Sequence, residues 1–382
     1  MSTAHTDTIA AGLWKPRSLD ALHYGSQCVQ KNLLSCLPSE NSKAFIITGA
    51  SLAKTPLVAQ LEKLLGSKHH AGTFSNIKQH APVAQLDEAT GKVAQDPNID
   101  TLISLGGGSP IDSAKAISAR QHDKTGKYLY HITIPTTLSA AECTQLAGYT
   151  KEDGTKTGVA DPKIAVSAIF YDPAFAAHTP LKLWLATGLR AMDHAVESIY
   201  HPAASEVPCK AIALQAIQWL FEYLPKAKES HPHNEDVTTR LFLAAYASLG
   251  FIGLNISGGL GLSHSLGYAL GSPYGIPHGE TSCLTLGHVV KLKARMSDKD
   301  AASCARILPF VGGATSTGDN VKDADQVGDA ILDLVERLNL KTTLTEKGVG
   351  KDQMDIIVQR ATGGKADEKT AGAVKTLVEK LY

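Results

Sequence analysis

The chain has 382 residues, 43% of them hydrophobic and 19% charged, and its 37 Lys and Arg balance its 37 Asp and Glu. That length predicts two domains, and the absence of net charge excludes a long-range field that would favour nucleic acid or a membrane surface as partner. The six cysteines (Cys28, Cys36, Cys143, Cys209, Cys283 and Cys304) form no CxxC pair, and no segment approaches the ~20 apolar residues that span a bilayer, so a cytoplasmic protein with reduced thiols is expected.

From Lys43 to Tyr171 short β-branched runs alternate with helical patterns: "KAFIITG", "LVAQLEKLLG", "TLISLGGGS", "PIDSAKAISA". This alternation predicts βαβ units and a parallel sheet that binds its ligand beyond the carboxyl ends of the strands. The third run ends in Gly106, Gly107 and Gly108, with Ser109 expected as N-cap and Pro110 at the first helical position. Glycines there let backbone N–H groups and the positive end of a helix approach a phosphate. The G-x-G-x-x-G fingerprint is not met, because Ile111 stands at the third glycine position, so the loop is another kind of phosphate cradle or a turn. In "IPTTLSAAECT", Thr136, Thr137 and Ser139 bring hydroxyls to the same sheet edge, where they bind ligand or cap a helix. "IAVSAIFYDP" predicts a last strand ending at Asp172-Pro173.

After Thr179-Pro180 apolar residues recur at helical spacing in "LKLWLATGLRAMDHAVESIY", "CKAIALQAIQWLFEYL", "TTRLFLAAYASLGFIGLN" and "VGDAILDLVERLNL". The expected architecture is a Rossmann-like α/β nucleotide-binding domain over residues 1–179 and an all-α helical domain over 180–382. In the first of these helices Arg190, His194 and Glu197 share one face. Glu197 either orients His194 or is a solvated carboxylate, and Tyr200 packs the helix end. His264 and His278 lie in glycine-containing turns, where the backbone can bring an imidazole into a cleft. His5, His69, His70, His80, His231 and His233 read as surface residues, and His288 as a core histidine.

The order GGGSxxDxxK, PTT, HAxE, "SHSLG" and "PHGE" resembles the iron-containing alcohol dehydrogenase superfamily, which has the dehydroquinate synthase-like fold, and within it the maleylacetate reductase-like branch. The resemblance implies an NAD(P)H-dependent oxidoreductase acting on a small oxo acid, ketone or aldehyde in the cleft between the domains, and a homo-oligomer, a dimer. It places Gly106, Gly107, Gly108, Ser109 and Asp112 at the pyrophosphate loop and Thr136 and Thr137 beside adenine and ribose. Gly49 stands where NAD-preferring members carry an acidic ribose reader, so NADPH as well as NADH is expected, with Ser51 and Lys54 close to a 2′-phosphate.

His194, His264 and His278 match three of the family's four metal-ligand positions, and Arg190 occupies the fourth, an aspartate in metal-dependent members. Asp193, adjacent to His194, points about 100° away from it on an ordinary helix, whereas positions 190 and 194 lie on one face, so it does not simply replace the missing aspartate. A guanidinium repels a dication, so no metal is expected; Arg190 instead polarises a carbonyl or holds a carboxylate, and one of the three histidines delivers the proton. The alternatives are an Fe2+- or Zn2+-dependent alcohol dehydrogenase in which the three histidines keep the metal, and a non-redox enzyme on the same fold.

Overall fold

Ile46 and Ile47 are neighbours in strand β2 (Lys43–Thr48) yet belong to different cores, because successive side chains of a strand leave by opposite faces. Ala44 and Ile46 pack with Leu57, Leu61 and Leu65, whereas Phe45 and Ile47 pack with Leu86, Ala114 and Ile117. A parallel strand covered on both faces needs apolar residues at every position, which is why "AFII" reads as an unbroken run.

The computed structural model describes residues 12–382 apart from 154 and 257. In chain order the first part runs β1 (Ala21–Tyr24), α1 (Cys28–Asn32), β2, α2 (Ala50–Ala53), α3 (Pro56–His69), β3 (His70–Phe74), α4 (Val83–Val93), β4 (Ile99–Gly106), α5 (Gly108–Thr125) and β5 (Tyr130–Pro135). An antiparallel hairpin follows, β6 (Leu146–Thr150) and β7 (Lys156–Ala160), and then β8 (Ala168–Tyr171). The six parallel strands lie in the order β1-β8-β5-β4-β2-β3. The chain leaves β2 towards β3 and leaves β4 towards β5, so the order reverses between β2 and β4. Their carboxyl ends carry Gly49 and Gly106 to Gly108, the place where open α/β sheets bind ligands. The strands β1 and β3 and the hairpin were not anticipated from the sequence pattern.

After α6 (Pro173–Ala176) there is no strand among the described residues. The helices are α7 (Leu181–Tyr200), α8 (Ala211–Ser230), α9 (Glu235–Leu249), α10 (Leu262–Tyr274), α11 (His278–Lys293), α12 (Asp298–Ala305), α13 (Asn320–Arg337), α14 (Met354–Thr362) and α15 (Glu368–Glu379). Every residue of α7 from Trp184 to Tyr200 is buried, because α8, α9, α11 and α12 pack around it. A helix enclosed on all sides normally carries apolar residues all round, so Arg190, Asp193 and Glu197 on it must find partners inside the protein. No helix among the described residues is long and apolar enough to cross a membrane.

Candidate active site

The glycine loop begins at Gly106, whose φ of 143° is open to glycine and strained for other residues. A Cβ at Gly106 also falls 2.9 Å from Pro110 Cγ. The helix starts earlier than the sequence suggests: Gly107 is the N-cap of α5, Gly108 its first residue, and Ser109 lies inside the first turn. The expected capping role of Ser109 is therefore wrong. Its hydroxyl accepts the His80 backbone N–H at 3.1 Å instead. Thr136 N–H donates to Gly106 O at 3.0 Å, Thr137 Oγ1 lies 3.1 Å from Ser139 Oγ, and a Cβ at Gly107 falls 3.0 Å from Thr137 Oγ1. The glycine loop and the threonine loop are thus one surface.

Asp112 accepts the Gly148 N–H at 3.2 Å and lies 3.5 Å from Lys115 Nζ, which ties the β6–β7 hairpin to α5. Gly49 caps α2, and Ser51 and Lys54 are exposed beside it.

The second half of the site is assembled by α7, α10 and α11. Arg190, Asp193, His194 and Glu197 project from successive turns of one side of α7, His264 lies in the first turn of α10, and His278 begins α11. The His194 and His264 rings are 4.9 Å apart. Arg190 is 7% exposed; its Nη1 approaches Asp193 Oδ2 and Ser282 Oγ, each at 3.4 Å. The same Asp193 oxygen accepts Ser282 Oγ–H at 2.6 Å and Ser263 Oγ–H at 3.0 Å. Asp193 is thus the partner of Arg190, a residue that the helical angle had set aside; a guanidinium is long enough to reach i+3.

His80 was expected at the surface, yet its ring meets His278 edge-on at 5.3 Å. His231 was expected there too, and it stacks on Trp184 at 5.4 Å with Nε2 2.8 Å from Thr179 O. His288 is half-buried rather than in the core, and His5 lies outside the described residues. Glu197 is fully buried, which removes its reading as a solvated carboxylate. Lys156, on β7, had no signal in the sequence: its Nζ donates to His278 Nε2 at 2.7 Å and lies 4.9 Å from the centre of the Tyr268 ring.

Burial and the surrounding cations divide the histidines. Burial, His264 and Arg190 hold His194 well below the ordinary histidine pKa, and burial, Lys156 and Arg190 do the same to His278. Burial and Arg190 also press on His264, but Asp193 and Glu197 outweigh them and raise its pKa. Burial opposes the Asp193 carboxylate, and His264, Arg190 and Ser282 reverse that and hold its pKa below the usual range. Lys156 is open to solvent along its length while its ammonium is crowded by protein; this desolvation, against the pull of Asp112, pushes its pKa down to about 8.

Among the described residues, His194 Nδ1, His264 Nε2 and His278 Nδ1 are buried without a partner, as is Nε2 of His80 beside His278. Such orphans suit a ligand or a metal. Asp193, Glu197 and His264 also offer donor atoms within 4.8 Å of one another, but those carboxylates are already engaged by Arg190, serine hydroxyls, backbone N–H groups and the His264 ring.

The family model for iron-containing alcohol dehydrogenase matches residues 21–173, and that for the C-terminal part of the Fe-containing alcohol dehydrogenase family matches residues 184–380. The NAD-dependent methanol dehydrogenase of Bacillus methanolicus is 30% identical over 345 residues, covering 84% of this chain and 85% of that protein. The maleylacetate reductase of Rhizobium sp. (strain MTP-10005) is 28% identical over 323 residues, 82% of each chain. The crystal structure of maleylacetate reductase from Agrobacterium tumefaciens matches with a TM-score of 0.81 over 98% of this chain and 99% of that one, at 24% identity, a likeness of fold.

Proposed function

This chain belongs to the iron-containing alcohol dehydrogenase family and is an NAD(P)-dependent oxidoreductase; from that premise we propose that it reduces a small oxo acid without a metal, in the cleft between a nucleotide-binding domain (residues 1–179) and a helical domain (180–382). The observation that carries the reading is the buried Arg190, tied to Asp193 at 3.4 Å among the three histidines. A dication among those nitrogens would stand beside a guanidinium. At an effective dielectric of 20, two unit charges 4 Å apart repel by ~4 kcal/mol, and a dication doubles this. On this reading the obstacle to a divalent metal is the guanidinium among the histidines rather than the histidine nitrogens themselves.

The nicotinamide, when bound, supplies the hydride. The glycine loop at Gly106 to Gly108, with Thr136, Thr137 and Ser139, receives the nucleotide's phosphates. Among the described residues Arg190 makes its hydrogen bonds through Nη1, so its other donors are available to a carbonyl or to the paired oxygens of a carboxylate. Lys156, bonded to an imidazole rather than to a carboxylate, adds a second cation facing His278. Those two cations favour an anionic substrate over a neutral aldehyde. His264 carries the proton that the nascent alkoxide takes, since its neighbours raise its pKa while His194 and His278 are held neutral.

The test is a panel of short oxo acids and the matching ketones and aldehydes, assayed with NADH and NADPH before and after exhaustive chelation. Oxo acids should be reduced in preference, with chelation without effect. Activity lost on chelation and regained with Fe2+ or Zn2+ overturns the reading in favour of a metal-dependent alcohol dehydrogenase.

A further inference from the structure

Glu197 has more hydrogen bonds than any other side chain of the site, and the chemistry above does not use it. Its Oε1 accepts Tyr200 O–H at 2.9 Å and Ser263 N–H at 2.8 Å, and its Oε2 accepts His264 N–H at 3.2 Å and His264 Nδ1–H at 2.7 Å. The α10 helix has no capping side chain of its own, because its N-cap is Gly261. Glu197 reaches across from α7 and takes the two N–H groups that a serine or aspartate cap would satisfy. Space for it depends on Gly261, where a Cβ would fall 2.5 Å from Oε1; φ there is −172°, so the constraint is room rather than conformation.

The donor count decides the state of the imidazole. An ionised carboxylate only accepts, and backbone N–H groups only donate. A bond of 2.7 Å between Oε2 and Nδ1 therefore requires a proton on Nδ1, which the negative charge of Asp193, 3.3 Å from the same nitrogen, also favours. Among the described residues Nε2 is left without a partner.

We propose that Glu197 is the positioning residue of the reaction: it seats the first turn of α10 and holds His264 in the Nδ1–H form, so that Nε2 alone exchanges a proton with the substrate. The inference rests on His264 being the proton donor. As the alkoxide forms, its oxygen takes the Nε2 proton, the N–H bond breaking as the O–H bond forms. A neutral imidazole still protonated on Nδ1 remains, and solvent returns a proton to Nε2 before the next turnover.

Glu197→Gln tests this, because an amide brings an NH2 group that must donate among four existing donors. His264 Nδ1 should then lose its proton and accept from the amide. The expected result is a fall in kcat of about a hundredfold, within the usual range for general acid–base catalysis, with KM and cofactor Kd changed by about twofold or less. 15N spectra of histidine-labelled protein at pH about 9, where a histidine ring is ordinarily neutral, should show His264 protonated on Nδ1 in the unmodified protein and on Nε2 in the variant. Glu197→Asp, which restores an acceptor-only group, should recover the tautomer and at least part of the rate. Tyr200→Phe removes one donor and should leave the tautomer unchanged. An unmodified protein with His264 Nδ1 bare, or a folded Glu197→Gln variant with unaltered tautomer and kcat, overturns the proposal. The spectra need no substrate, so failure of this inference is separable from failure of the oxo-acid reading.

Discussion

Arg190 Nη1 lies 3.4 Å from Asp193 Oδ2, one turn along a helix in which the two side chains are 8% and 0% exposed. The pair neutralises a cation where metal-dependent members of the family carry a ligand carboxylate. The protein is accordingly expected to be active as purified with substoichiometric metal, and EDTA should leave its rate unchanged. Arg190→Asp should cost at least ~2.7 kcal/mol of transition-state stabilisation, about a hundredfold in rate, while giving His194, His264 and His278 a carboxylate with which to bind Zn2+ or Fe2+. Calorimetry of both proteins with each metal, beside assays before and after chelation, checks both halves.

Breaking the same pair from the other side should cost stability. Asp193→Asn leaves Arg190 buried and uncompensated, a loss of about 3–5 kcal/mol. The sign with pH follows from the depressed Asp193 pKa. Below about pH 4, the ordinary aspartate pKa, the unfolded chain takes up a proton that the folded protein resists. The stabilisation is therefore fully present at neutral pH and is lost as pH falls. Denaturation midpoints should show a gap between the two proteins that closes in strong acid and also narrows as pH rises through the raised His264 pKa, to which Asp193 contributes.

Gly107 bears on the nucleotide. A Cβ there falls 3.0 Å from Thr137 Oγ1, and Gly107→Asp adds a carboxylate at the N-terminus of α5, in the loop assigned to the phosphates. Cofactor binding should be abolished while the helical part of the protein stays folded. Cofactor fluorescence and circular dichroism read the two effects separately, and normal binding by this variant would show that the loop is only a turn.

Gly49 sets the expectation for the second phosphate. With no carboxylate at this end of β2, NADPH should bind within about tenfold of NADH, since one charge contact is worth about 1–2 kcal/mol. Gly49→Asp should move the preference towards NADH by about tenfold. The new Cβ lies 3.0 Å from Ile77 O, so the loop must shift slightly to admit it. Fluorescence titration measures both; a preference of the unmodified protein for NADH beyond about a hundredfold contradicts the Gly49 argument.

The features legible in the sequence were those that a short stretch of chain specifies by itself. An unbroken apolar run, three glycines and a helical pattern within seventeen residues, "TLISLGGGSPIDSAKAI", placed a glycine loop between a strand and a helix, and the apolar periodicity after Pro180 announced helices. Arg190 and His194, four apart, share a helical face whatever surrounds them. Tertiary structure alone decided what those residues touch. Lys156 reaches His278 across 122 positions and Glu197 reaches His264 across 67, contacts that depend on how a hairpin and three helices pack. Nothing local distinguishes a buried carboxylate from a solvated one: Glu197 follows His194 by one turn in either case, and only the enclosure of α7 by other helices removed the water and obliged it to find four donors inside the protein.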